Sequence, residues 1–340
     1  MRDQGDRRAS TCCRSRTSLR STKGPQGPAA GLADCGPRDL ARRLRDAASV
    51  DLSLGRLLEG HANAVHLVKV YGDDAARAAL RSDLQAGAIF GVWGADGEPP
   101  VSAAGGHLRG AKRFASGLGI VDRAIVTAGS GADQQLYLVD ATDAARHDPA
   151  TWDMSGMQAS RSGRFDCDDL AARPIGAPGC YTAEPHFVGG TWRIAAVALG
   201  GIVGLLDRAA AQLRARDQLQ ADAHLLRLSP VALRVTAAWA AILRAGELAQ
   251  GAQGAAAPEQ AAVLSVSTRL LTEELGQDCI AAVERSVGLS MFAADDDTGR
   301  HARDLACYLR QAARDAFLLR AGRAMLGQPG GLAEWLDDRD

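Results

Sequence analysis

The sequence predicts a mainly α chain with a central antiparallel β-domain and a closing four-helix bundle. Three observations predict it. From Pro37 to about Ala88 the apolar residues keep helical spacing. From Phe90 to about Pro185 glycines become frequent and apolar runs shorten, the pattern of strands joined by turns. After His186 helical spacing returns in four long segments, about 189–215, 228–250, 257–287 and 299–326.

Residues 1–36 differ from the rest. They carry seven Lys/Arg against three Asp, with clustered Ser and Thr and a Gly-Pro-rich end. No apolar h-region follows, so they read as a disordered basic tail or an extension upstream of the true start, not a secretory signal. Leu40, Leu44 and Ala47 then form a first helical stripe. Asp51-Leu-Ser interrupts it, and Leu54, Leu57, Leu58, Ala62, Val65 and Val68 form a second. Gly72 with Asp73 and Asp74 marks a stop and a new N-cap, and a third helix runs to about Leu84. Ala124–Ala128 and Gln135–Val139 are strand-like, and Leu108–Phe114 has the look of turn-punctuated strands. In the third late segment Leu264, Leu271, Leu275, Cys279, Val283 and Val287 recur at spacings of seven and four, one wall of a bundle. The expected domains are the tail over 1–36, a short helical domain over 37–89, a β-barrel or sandwich over 90–186, the bundle over 187–327 and a tail over 328–340.

Composition excludes some functions. A net charge of −1 over 340 residues gives no electrostatic case for nucleic acid. No apolar run approaches the ~20 residues that span a bilayer, so no membrane insertion is expected. The nearest run, Ile194–Leu206, is broken by Gly200 and Gly201 and reads as a buried core helix. The seven cysteines form no C-x-x-C pair, which favours free thiols and a cytoplasmic protein. His61 and His66 lie five apart, on different helix faces, so they read as satisfied or surface histidines and no metal site is expected.

Two stretches carry chemistry. Gly105–Ala128 reads GGHLRGAKRFASGLGIVDRAIVTA, and Trp152–Asp166 reads WDMSGMQASRSGRFD. Gly106–Gly117 resembles the G-x-L-x-G-x-K-x-[FW] strand pair of the acyl-CoA dehydrogenase superfamily. The second stretch resembles its W-x-x-x-G-M-R-x-[ST]-x-S segment, with Gln158 in place of the usual Arg. In this order, ahead of a four-helix bundle, they cover a resemblance over roughly residues 50–325. It implies the α–β–α architecture of that family, FAD as cofactor, an acyl-CoA thioester as substrate, a separate electron acceptor, and a homodimer or homotetramer packed through the bundle. It places the flavin between the β-domain and the bundle. Phe114, Ala115, Ser116 and Gly117 stand where the family has W-I-[TS]-[NS], whose ring covers a flavin face and whose N–H and hydroxyl meet the flavin edge. Trp93 and Gly94 fall in the family's Y-x-x-T-E-P-like loop, without its threonine. Arg216 resembles the arginine that binds a neighbouring subunit's flavin pyrophosphate. The corresponding readings without the family are a strand core residue for Phe114, a turn for Ser116-Gly117 and a solvated surface arginine for Arg216.

The resemblance also implies a glutamate base for the substrate α-proton. Its usual place, after Arg303-Asp304, falls on Ala312, and the alternative place before Arg193 is Trp192. Glu284-Arg-Ser-Val-Gly288 stands where the adenine-side Q-x-x-G-G motif belongs. Asp315, one helical turn beyond Ala312, is the remaining candidate, against a solvent-facing reading. The N-terminal domain is about two helices shorter than the family's. A relocated base, a flavin monooxygenase of the same fold (whose loop reads F-x-S-G), and a catalytically silent relative are therefore the alternatives.

Overall fold

The computed structural model describes residue 27 and residues 29–337. Most of the expected tail over 1–36, and the last three residues of the tail over 328–340, lie outside the described residues. The chain forms two compact units. One contains Asp51–Ala183, and the other joins Pro37–Val50 to Glu184–Asp340. The segment expected as one helical domain over 37–89 is thus divided: helix α1 (Pro37–Val50) is part of the second unit.

The first unit opens with α2 (Leu52–Tyr71) and α3 (Asp74–Gln85). The break read at Asp51 is an N-cap, whose carboxylate accepts from Ser53 N at 2.8 Å and Leu54 N at 3.1 Å. Asp73 caps α3 in the same way through Ala76 N at 2.7 Å. Val65, Leu67 and Val68 of α2 and Leu80 of α3 pack with Phe90, Ile125, Leu136 and Ile175 to form the core beneath the largest sheet.

That sheet runs β1 (Phe90–Trp93), β5 (Arg123–Ala128), β6 (Gln135–Asp140) and β10 (Arg173–Ile175) in that order. β5 and β6 are antiparallel with Arg123 opposite Asp140, but β1 and β5 are parallel with Phe90 opposite Arg123. The parallel pair departs from the antiparallel expectation because β1 leads first into β2 (Ser102–Ala104), β3 (His107–Arg109) and β4 (Ala111–Lys112). This excursion returns the chain to the end from which β1 started. β2 pairs with β3, which pairs with β9 (Leu170–Ala171), and β4 pairs with β8 (Arg164–Asp166), which pairs with β7 (His147–Asp148).

The second unit contains α4 (Trp192–Ala215), α5 (Asp222–Gln250), the short α6 (Ala252–Ala256), α7 (Pro258–Val287), α8 (Asp297–Tyr308), α9 (Arg314–Leu326) and α10 (Gly331–Asp337). The helix expected over 299–326 is two helices. Gln311 Nε2 donates to the Tyr308 carbonyl at 2.7 Å, and Ala313 takes a left-handed φ of 60°, so the chain turns between α8 and α9. The glycines that interrupt the Ile194–Leu206 run serve close packing. A Cβ on Gly200 would lie 2.3 Å from Arg45 O of α1, and one on Gly204 2.2 Å from Ser49 O. Arg208 then donates to Ser49 O and Val50 O, each at 2.9 Å, and closes the last turn of α1. By length and composition alone α4 and α5 are each long and apolar enough to cross a membrane, a property that core helices share. The α4 segment passes that test as a helix mostly buried within the unit. α5 passes it through an open apolar face on which Leu226 is 76% exposed and Leu233 71% exposed.

Each unit buries a neutral histidine. His61 accepts from Phe90 N at Nδ1 (3.1 Å), and His301 donates to Gly201 O at 2.9 Å. Burial pushes both imidazoles down to about 4. For His301, Arg208 adds to the effect.

Two outcomes follow from this packing. Gly204→Val forces a side chain into the α1 backbone and lowers the unfolding free energy by about 2–3 kcal/mol, read by urea titration. Each histidine binds its proton near pH 6.5 when unfolded and near pH 4 when folded. The stability it contributes is therefore complete above pH 6.5 and declines as pH falls toward 4. Unfolding at pH 7.5 and pH 5 differs by about 2 kcal/mol per histidine, and His301→Gln removes its share of that difference.

Candidate functional site

The site builds on the turn from Arg113 to Gly117. Phe114 has a left-handed φ of 56°, a strained conformation for an aromatic residue. The neighbouring segment holds it there. Ala115 N donates to Gly163 O at 2.9 Å and Gly163 N returns to Ala115 O at 3.2 Å, so the two chains exchange both bonds. Gly117 N donates to Ser160 O at 2.8 Å and Leu118 N to Arg161 O at 3.0 Å. Gly117 has φ 84°, and a Cβ there would lie 2.8 Å from both Leu57 Cδ2 and Val121 Cγ2, so glycine is required. On the opposing segment Met157 and Arg161 are also left-handed, with φ of 55° and 49°.

A buried serine chain fixes the tip. Ser160 Oγ donates to Met157 O at 2.6 Å and accepts from Ser162 Oγ at 2.7 Å, and Ser162 Oγ is hydrogen-bonded to Ser116 Oγ at 3.1 Å. Trp93 is buried and its indole donates to Ser116 O at 3.1 Å. Ser116 is thereby held on both its carbonyl and its hydroxyl oxygen. Its N–H meets no acceptor among the described residues. Phe114 is not a core residue: it is 47% exposed, edge-on to Trp152 at 5.9 Å, with the Arg113 guanidinium 5.0 Å from its ring centre. The Trp152 indole N–H is buried without a partner.

The lysine of the strand-pair motif has a supporting role. Lys112 is fully buried and donates to Asp96, to Thr127 Oγ1 at 2.9 Å and to Gly94 O at 3.4 Å. Burial lowers its pKa, and Asp96 opposes that shift. Thr127 also donates to Gly94 O at 3.1 Å. The Gly94 carbonyl is thus committed to the protein, and Trp93 and Gly94 shape the site through Ser116 and Lys112.

The remaining expected residues stand elsewhere. Arg216 donates to Val287 O at 3.0 Å, Ser290 Oγ at 2.7 Å and Gln212 Oε1 at 3.1 Å, so its guanidinium closes the end of α7. The Asp315 side chain is 92% exposed and faces Arg314 at 3.6 Å, which removes the reason to treat it as a base. Trp192 is completely buried, its N–H donating to Ser265 Oγ at 2.8 Å.

The Ala312 carbonyl accepts from Arg269 Nη2 at 2.8 Å. Arg269 sits one turn before Glu273 on α7, and both are about 95% buried. Glu273 meets Arg314 through Oε1 at 3.2 Å, while Glu273 Oε2 and Arg269 Nε have no hydrogen-bond partner. They line a cavity of about 10 Å³ with Thr272, Tyr308, Leu309 and Gln311, room for a single water. A buried carboxylate with an open oxygen therefore stands beside the segment where a base was expected. The apolar stripe of α7 concealed it. An Arg-x-x-x-Glu pair at i, i+4 within such a stripe was the available signal. Ser160 and Ser162 were visible as the S-x-S of the second motif but carried no assigned role.

No family model matches the sequence, and no curated protein sequence matches it. Solved structures do. The dibenzothiophene monooxygenase TdsC from Paenibacillus sp. A11-2, in a complex with FMN and indole, is 17% identical over 94% of this chain and 90% of its own, with a TM-score of 0.75. Butyryl-CoA dehydrogenase from Megasphaera elsdenii is 15% identical over 91% of this chain and 87% of its own, at 0.72. KijD3, in complex with FMN and a dTDP-amino-keto sugar, is 19% identical over 94% and 92%, at 0.70. The chain has the acyl-CoA dehydrogenase-type fold.

Proposed function

We propose that this chain is a flavin-dependent oxidoreductase that holds the edge of an isoalloxazine ring at Ser116. One observation carries the reading: Ser116 offers an N–H without an acceptor among the described residues, on a turn fixed from two sides. Pre-set donors of this kind match the acceptor atoms along a flavin edge and tune its electron affinity. The unpartnered Trp152 indole and the exposed Phe114 ring beside it supply a further donor and an aromatic face. When bound, the flavin supplies two-electron hydride acceptance.

In this proposal the cofactor is FAD and the substrate an acyl-CoA thioester. The proposal includes a cytoplasmic homo-oligomer. The five described cysteines are free thiols, and Leu226 and Leu233 form an apolar face suited to a second bundle. A monooxygenase acting on reduced flavin and oxygen is the second reading. The engagement of Arg216 within its own unit favours it, because the expected pyrophosphate ligand of FAD is already satisfied.

Purified protein is expected to show an oxidised-flavin spectrum, and the flavin released by heat identifies FAD or FMN. Ser116→Ala weakens flavin binding about tenfold, through the loss of its hydrogen bond to Ser162. A colourless protein that takes up neither flavin ends both readings. With bound flavin, bleaching of the spectrum by an acyl-CoA supports the dehydrogenase, and oxygen uptake with a flavin reductase selects the monooxygenase.

A further inference from the structure

A cavity of the first unit lies away from the Ser116 turn. It measures about 580 Å³, within the range of small-molecule sites. One face of α3 lines it, with Arg77, Leu80, Arg81 and Leu84 at helical spacing, and His61 and Lys69 of α2 line another side. The segment Ala29–Asp34 closes it with mostly alanine and glycine, whose small side chains leave the space open. Ala88 and Ile89 complete an apolar wall.

Two observations point to the occupant. His61 is 1% exposed, its Nδ1 accepts from Phe90 N, and its Nε2 has no partner. The neutral ring must therefore carry its proton on Nε2, a buried donor without an acceptor, which is costly unless something fills that role. Charge gives the second. Lys69, Arg77 and Arg81 stand against Asp34 alone, a net surplus of cations. Lys69 is held by Ala33 O at 2.6 Å and Asp34 at 3.4 Å, and Arg77 by Lys69 O at 3.1 Å and Asp74 at 3.5 Å. Arg81 makes no hydrogen bond or ion pair to a described residue.

We propose that this cavity binds a small organic anion, an apolar body carrying a carboxylate or phosphate, with His61 Nε2–H and Arg81 as its polar contacts. The body lies against Leu80, Leu84 and Ile89. This site is separate from the flavin reading and does not depend on it.

The test uses the full chain labelled with ¹⁵N-histidine and three probes: octanoate, octyl phosphate and inorganic phosphate. Octanoate or octyl phosphate is expected to shift the His61 Nε2–H resonance saturably and to release heat of binding. Whichever binds more tightly identifies the head group. Arg81→Met together with Lys69→Met weakens binding at least tenfold, and a circular dichroism spectrum equal to that of the parent shows that the fold is kept. The proposal is overturned if neither octyl probe moves the His61 signal, if inorganic phosphate binds as well as the octyl probes, or if the double variant binds unchanged.

Discussion

The reciprocal backbone pair between Ala115 and Gly163 is the constraint on which the candidate site depends. It fixes two irregular segments against one another where no regular strand continues. With the Gly117–Ser160 and Leu118–Arg161 bonds it holds three non-glycine residues in the left-handed region: Phe114, Met157 and Arg161. Each costs about 1 kcal/mol or more, and only surrounding bonds of this number can maintain them. What that strain secures is orientation. Ser116 keeps its N–H without an acceptor among the described residues while its carbonyl and hydroxyl are tied by Trp93 and Ser162.

Lys112 supports that turn from below. A fully buried ammonium is tolerated because Asp96, Thr127 and Gly94 all accept from it, and these acceptors come from the loop after β1 and from β5. The lysine thus joins two sheets at the point where the chain leaves β4 for the Phe114 turn. Removing it would leave Asp96 and the Gly94 carbonyl without their donor, and the cost of such a break exceeds the net worth of the ion pair itself.

Much of the architecture was legible because periodicity is a local signal. The caps at Asp51 and Asp73, the β5–β6 pair and the long bundle helices follow from short stretches read alone. What was not legible depends on which surfaces meet. The Leu40–Leu44 stripe says that α1 buries a face, but not that it buries it against α4. Gly200 read as an interruption and Gly204 carried no reading until the α1 carbonyls appear 2.2–2.3 Å from their missing methyl groups. Arg216 and Asp315 matched by position in the sequence, yet one is consumed by the end of α7 and the other faces outward. His61 read as a satisfied histidine, and only the cavity shows that one of its nitrogens is not.

The two halves of the proposed chemistry differed in legibility for a physical reason. The flavin edge is met by backbone groups whose placement depends on turn geometry. The glycines and serines that build that geometry leave a recognisable spacing in the sequence. A base depends on one carboxylate at one point in space, and several helices can deliver it there. Arg269 of α7 donates to the Ala312 carbonyl and Arg314 pairs with Glu273, so the segment that lacks the expected carboxylate is tied to α7 by two arginines, a link between helices that a sequence motif cannot record.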